Sequence, residues 1–461
     1  MPAPDADIVE YFAHHITSTT FERLPPAAVD AAKKSILDTV GVTLAASGME
    51  PAVKGVIDLV REVGGQPEST VLAFGDRVPA VWAAFANGAM AHCLDFDDQT
   101  PWGQHSASSI VPAVLAVAER RGAVPGRELI TAVAIGQDIF ARLRRNVGWR
   151  KDWNLSTVLG VFAGAAATSR ILGLPEAEAA HSLGIASMQS SGVMEVVAGT
   201  GSNLRAMYAG FSAKGAALAT LLAEKGVTGV ERLFEGGYGV LQTYFGGRYD
   251  RDAILKDLGR DYQGSTTLYK LWPSVGTSHS HISATIGIVV DHDIAAEDIT
   301  EIRVHVGDYH ELMCEPLDVR HAPTTLVDAK FSLPFLVAVA AVRRAVRISD
   351  FSAEGLRSPQ VLAVARKVVP VADASLNWVL DLPPGRVEIV LRDGRRFTRT
   401  GDRVPGNPDE PLTWADLGRK FTDCASVAAS TEAGERVEEV LSVAQNLENL
   451  ADVSELVRLL G

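Results

Sequence analysis

The stretch His92-Cys93-Leu94-Asp95-Phe96-Asp97-Asp98-Gln99-Thr100-Pro101-Trp102-Gly103-Gln104-His105 sets three carboxylates, two imidazoles and two amides into fourteen positions. Apolar residues flank it at helical spacing. Trp82, Phe85, Ala86 and Ala89 lie upstream, and Ile110, Val114 and Val117 lie downstream, with Val111, Leu115 and Ala118 beside them. Ser106, Ser108 and Ser109 offer N-caps for the second helix. The stretch therefore reads as a polar loop held between two buried helices, a setting in which a rigid scaffold positions reactive groups.

Working outward, the helical period continues. Pro25-Pro26 opens a helix with Ala32, Ile36 and Val40 on one stripe. Residues 126–145 are apolar at Leu129, Val133, Ile139 and Leu143. In residues 157–172, Gly160, Gly164 and Thr168 recur every four residues, which lets two helices approach closely. Residues 211–225 form a further alanine-rich helix. The period changes near residue 297. Ile302, Val304 and Val306 alternate with Arg303 and His305, as Val387, Ile389 and Leu391 do later, and Asp393-Gly394 signals a hairpin before Arg396. Helices are expected near 334–346 and 359–368, and again over 414–460. The expected fold is mainly α. A large helical domain, 1–267 completed by 404–461, carries an inserted smaller α+β lid domain, 268–403, with a cleft between them.

Composition narrows the function. The 461 residues hold 43 Lys and Arg against 56 Asp and Glu, a formal charge of -13. That argues against nucleic-acid or anionic-membrane partners and demands a local cationic cluster for any anionic substrate. Three scattered cysteines and a polar N-terminus without a signal core predict a reduced, cytoplasmic protein. The apolar run 333–342 is too short to span a bilayer.

Several motifs have ordinary structural readings beside the chemical ones. Asp95, Asp97 and Asp98 lack a further carboxylate at a helical spacing for a divalent metal, and Pro101 stands where a prenyl-diphosphate pattern has Asp. His279 and His281, with Asp291 and His292, make a weak metal motif. Lys270 at the domain boundary reads either as exposed or as entering the cleft. Arg142, Arg144, Arg145, Arg150 and Lys151 read mostly as a solvated helix end. Residues 199–202, Gly-Thr-Gly-Ser, read as a flexible turn.

The pattern Leu-Asp-Phe-Asp-Asp, with His105 ten residues after Asp95, resembles the MmgE/PrpD family, which includes 2-methylcitrate dehydratase, cis-aconitate decarboxylase and iminodisuccinate epimerase. The helix 136–143, Ser191-Gly192, Gly210, Lys270-x-x-Pro with His279, Lys330-Phe331-Ser332-Leu333-Pro334 and Lys420-Phe421 extend the resemblance along nearly the whole chain. It implies a helical domain with an α+β lid, a homodimer, no metal or organic cofactor, and an active site lined by Asp95, His105 and Lys270.

Three positions depart from the decarboxylase and dehydratase pattern. Gln99 stands for Thr, Asn154 for His, and Arg205 for Lys. Asn exchanges no protons near neutrality, and Arg grips carboxylates but is no base. Tyr208, where the family often has His, offers a replacement acid–base group. The expected roles are His105, oriented by Asp95, as base; Lys270 or Tyr208 as acid; and Arg205, Gln99, Asn154 and His279 as carboxylate binders. The expected function is a cofactor-independent lyase acting on a small di- or tricarboxylate, like 2-methylcitrate dehydratase. The alternatives are an iminodisuccinate epimerase-like isomerase, then a cis-aconitate-type decarboxylase or a binding protein with a decayed site.

Overall fold

The computed structural model describes residues 2–197, 202–401 and 404–461. The expected turn at Gly199-Thr200-Gly201 and the expected lid boundary at residue 403 fall outside them. The chain is mainly helical, with 58% helix and 8% strand. Helices Ala80–His92, Ala107–Arg121, Gly126–Arg145, Leu155–Leu172 and Ala209–Glu224 pack on one another around Leu155–Leu172. Asn154 caps that central helix by accepting from Ser156 N, and Gly173 ends it at φ 64. It is long and apolar enough to cross a membrane, yet 89% of it is buried in the protein, as a core helix is. Helix Trp414–Ala425, opened by a Thr413/Asp416 capping box, returns to pack on Pro26–Met49.

The second half carries a four-stranded sheet ordered Val368–Ala372, Ile299–Val306, Gly385–Leu391, Arg396–Gly401. The first pair is parallel and the others antiparallel, with Val304 opposite Val387 and Ile389 opposite Phe397. Helix His279–Asp291 packs against the Gly385–Leu391 and Arg396–Gly401 strands. The alternating strands and the hairpin at Gly394 (φ 86) follow the sequence pattern. The expected helix to residue 368 does not: it ends at Ala365, and Val368 starts a strand. β-Branched Val368, Val369 and Val371 favour the pleat, and Pro370 is tolerated because this strand is at the sheet edge.

The arginine-rich helix end also differs from expectation. Arg142 and Arg144 are buried. Arg142 pairs with Asp138 and donates to the carbonyls of Ile254, Lys256 and Asp261, while Arg144 donates to the Trp102 carbonyl and to Gln104. Their partners come from distant segments that need donors for buried carbonyls. His281 is likewise a core residue, its ring nitrogens facing the carbonyls of His305 (2.8 Å) and Thr277 (3.3 Å).

Candidate active site

Helix Ala80–His92 presses closely on Ala209–Glu224. A Cβ on Gly210 would lie 2.6 Å from the Phe85 carbonyl, so only glycine permits the approach. His92 therefore ends a firmly seated helix, and the acidic loop starts there.

Three buried lysines from distant segments hold the loop backbone. Lys330 Nζ donates to the Cys93 carbonyl at 2.6 Å, Lys270 to the Asp95 carbonyl at 2.9 Å, and Lys420 to the Phe96 carbonyl at 2.6 Å. Lys270 also bonds the Asp95 carboxylate, which leaves one of its three N–H groups uncommitted to Asp95. Asp95 adopts the left-handed conformation (φ 49), which short polar side chains tolerate better than most. Lys420 continues to Asp38 Oδ1 at 2.6 Å.

The carboxylates then diverge. Burial pushes Asp95 up, but Lys270, His105 and His92 outweigh it and hold it well below the usual carboxylate range. Burial also pushes Asp97 up, and His105 and His92 again pull it well down. Asp98 faces neutral donors instead: Ser35 Oγ (3.3 Å), Ser106 Oγ (3.4 Å), Gln137 Nε2 (3.4 Å) and Ala107 N (3.1 Å). Burial, Asp97 and Asp38 raise it to about 7. The Ala107 contact means that Asp98 caps the second helix. None of the expected serine caps forms: Ser106 makes no capping bond, and Ser108 Oγ and Ser109 Oγ lack hydrogen-bond partners among the described residues.

His105 donates from Nδ1 to the Asp98 carbonyl at 2.7 Å, with Asp97 Oδ2 at 3.2 Å from the same nitrogen. A carbonyl only accepts, so Nδ1 carries the proton and Nε2 is the open nitrogen, 3.6 Å from Asp95 Oδ1. The ring is thus oriented by Asp97 and the Asp98 carbonyl, where Asp95 was the expected orienter. Ser156 Oγ accepts from His105 N at 3.1 Å and stands beside Asn154, whose Oδ1 caps the following helix and whose Nδ2 is buried without a hydrogen-bond partner among the described residues.

The remaining expected residues surround this core. Tyr208 stacks on His92 with ring centroids 4.4 Å apart; burial, Asp95 and Asp97 raise its phenol well above the ordinary value, so it is a neutral donor. Arg205 crosses to the second half and lies over the Phe331 ring, its guanidinium carbon 3.4 Å from the centroid. Burial and the neighbouring Arg320 lower it to about 9. His279 packs on Trp272 at 5.1 Å, and its Nε2 is buried without a hydrogen-bond partner among the described residues. Burial and Lys270 depress it to about 3, so it is a neutral imidazole. Gln99 joins the second half by a two-way backbone bridge to Leu268 (3.0 and 2.9 Å), and its amide packs on Gly276. Among the described residues no hydrogen bond ties the Gln99 side chain to Asp95, His105 or Lys270. Gln99 and His279 instead line an adjoining cleft of about 230 Å³ with Leu268, Leu382, Pro384 and Asn407.

Sequence reasoning assigned no role to His92, Asp97, Asp98, Lys330 or Lys420. A lysine just before an apolar run, as Lys330 is, was the available sign of a buried cation. Ring nitrogens of His92 and His105 and an oxygen of Asp95 also lie within 4.8 Å of one another, a spacing that could hold a metal ion. Lys270 already neutralises the carboxylate of that trio, so a dication there would sit against a fixed ammonium.

Comparison with known proteins extends over both halves. The chain is 26% identical to the cis-aconitate decarboxylase of Mus musculus over 98% of this chain and 93% of that protein. It is 25% identical to that of Aspergillus terreus, over 98% and 96%, and 25% identical to that of Homo sapiens, over 98% and 94%. The MmgE/PrpD N-terminal domain matches residues 10–252 and the MmgE/PrpD C-terminal domain residues 272–446, so this chain belongs to the MmgE/PrpD family.

Proposed function

We propose that the protein is a lyase that removes carbon dioxide from a small unsaturated tricarboxylate of the cis-aconitate kind. The carrying observation is a group of buried cations that repel one another beside an open imidazole nitrogen. Arg205 is opposed by Arg320 and Lys330 by Arg205, while Asp95 attracts Arg205, Lys330 and Lys270 alike. An added carboxylate relieves that repulsion where water is scarce. Asn154 Nδ2 and His279 Nε2 are buried polar atoms without hydrogen-bond partners among the described residues. The decarboxylase names of the relatives set this reading ahead of the 2-methylcitrate-type dehydration favoured by sequence alone.

In the proposed step the C–C bond to one carboxyl group breaks and its electron pair stays on carbon. A neighbouring carboxylate, neutralised by Arg205 and Lys270, delocalises that charge. The imidazolium of His105 then gives its Nε2 proton to carbon, and the N–H electrons return to the ring. Acid catalysis requires a charged imidazole, so kcat/KM should fall with rising pH; a reaction begun by α-proton abstraction needs a neutral base, and kcat/KM should rise instead.

The test is proton NMR in D2O with cis-aconitate, citrate, 2-methylcitrate and iminodisuccinate. A new vinyl methylene with deuterium incorporation supports decarboxylation; an alkene formed from a hydroxy acid replaces it with dehydration. Arg205→Ala should lower kcat/KM roughly 100-fold through both constants; an unchanged kcat/KM removes the clamp. Epimerisation of an amino dicarboxylate is a second reading, favoured by Asn154 and Arg205, which exchange no protons near neutral pH. Loss of an α-proton signal without an alkene would establish it.

A further inference from the structure

His92 is fully buried at the end of its helix, between the rings of His105 (4.5 Å) and Tyr208 (4.4 Å). Its Nδ1 lies 3.0 and 3.1 Å from the two oxygens of Asp97, the same carboxylate that meets Nδ1 of His105. An ionised carboxylate only accepts, so Nδ1 of His92 carries the proton. Its Nε2 is then a lone-pair nitrogen, buried and without a hydrogen-bond partner among the described residues. Leaving such an atom unmatched costs free energy in the resting fold, which a substrate hydrogen bond would recover. The groups facing the ring are Asp97, His105, Asp95 and Tyr208.

We propose that His92 is a second proton-carrying imidazole of the active site, fixed with His105 by the shared carboxylate of Asp97 so that each presents Nε2 to substrate. This rests on the carboxylate chemistry proposed above and deepens it. One carboxylate sets two tautomers at once. While His105 delivers its proton to the carbanion, His92 Nε2 accepts a hydrogen bond from a protonated substrate carboxyl and takes that proton as carbon dioxide leaves. The carboxyl O–H bond breaks, a new N–H bond forms at His92, and the net proton count of the site is preserved. Burial lowers the His92 imidazole below its ordinary value, consistent with a ring that enters the cycle uncharged.

One substitution separates this from a structural role. The side-chain amide of Asn overlays Nδ1, so His92→Asn retains the donor to Asp97 and deletes Nε2. Gln overlays Nε2 and loses the donor. The expected result is that His92→Asn unfolds within about 3 °C of the parent while kcat falls at least about 100-fold, and that the pH profile of kcat loses one limb. A kcat within about threefold of the parent overturns the proposal. Nitrogen NMR of the 15N-histidine-labelled parent, with and without propane-1,2,3-tricarboxylate as a non-reacting probe, gives a readout independent of turnover. His92 should be the Nδ1–H tautomer, and the probe should shift its Nε2; an Nε2–H tautomer at His92, or a shift at His105 alone, also overturns it. If the parent neither binds the probe nor turns over any tricarboxylate, the proposed function fails and this assignment with it; binding or turnover that His92→Asn leaves unchanged overturns this assignment alone.

Discussion

Asp97 and Asp98 are neighbours in the chain, both fully buried, and they titrate in opposite directions. Asp97 lies on the face of the loop turned to two imidazoles. Asp98 lies among hydroxyls and amides, with Asp97 and Asp38 as the charges that push it up. Equal burial exacts a similar desolvation penalty from both, so the difference is set by which groups face each carboxylate. The front of the loop is ionic and the back is a neutral hydrogen-bonded scaffold. The loop thus separates chemistry from support across a single peptide bond.

The hardest test of the ionic face is Lys270→Met. Asp95 loses its direct counter-ion and its carbonyl loses a donor, so unfolding in urea should show a loss of about 3–5 kcal/mol. Turnover should fall by roughly 1000-fold or more if Lys270 also meets substrate. Retained turnover would move the reaction away from this face.

Lys420→Met probes the junction of the two faces, since Lys420 bridges the Phe96 carbonyl and Asp38. Burial raises Asp38 to about 6 even with Lys420 present. At pH 8 the variant leaves a buried unpaired carboxylate and should lose about 3 kcal/mol. At pH 5 Asp38 is protonated and the loss should be smaller. Equal losses at both pH values would mean that the carbonyl contact, and not the charge, is what Lys420 supplies.

The mildest test addresses the neutral face. Asp98 is raised from 3.8 to about 7, so its protonated form stabilises the fold. That contribution is complete below about pH 4 and is lost as pH rises through about 7. Asp98→Asn mimics the protonated side chain, so melting temperature should depend less on pH between 5 and 8, and the variant should gain relative to the parent at pH 8. A steeper pH dependence in Asp98→Asn would place Asp98 with the ionic face.

Much of this scaffold was legible because it depends on local pattern. The loop between two helices, the helix Gly126–Arg145, the alternating strands and the Asp393-Gly394 hairpin each follow from periodicity or turn chemistry within about twenty residues. The serine caps failed because Asp98, nine residues before Ala107, supplied the acceptor from across the loop. The solvated arginine end failed because the carbonyls that bury Arg142 lie 112 to 119 residues away. The edge strand at Val368 was hidden by its proline, which an edge position tolerates.

By itself the sequence determined that a dense set of acids, imidazoles and amides would stand on a loop seated in a helical core, because side-chain spacing and helix period are properties of neighbouring residues. Only the tertiary structure decided which atoms of those residues are available for chemistry. Lys270, Lys330 and Lys420 reach the loop carbonyls from 175, 237 and 324 residues away. Asp97 selects the open nitrogen of His92, while the Asp98 carbonyl with Asp97 selects that of His105. Protonation state follows from the charges and donors within a few ångströms, and those neighbours are set by the folded chain.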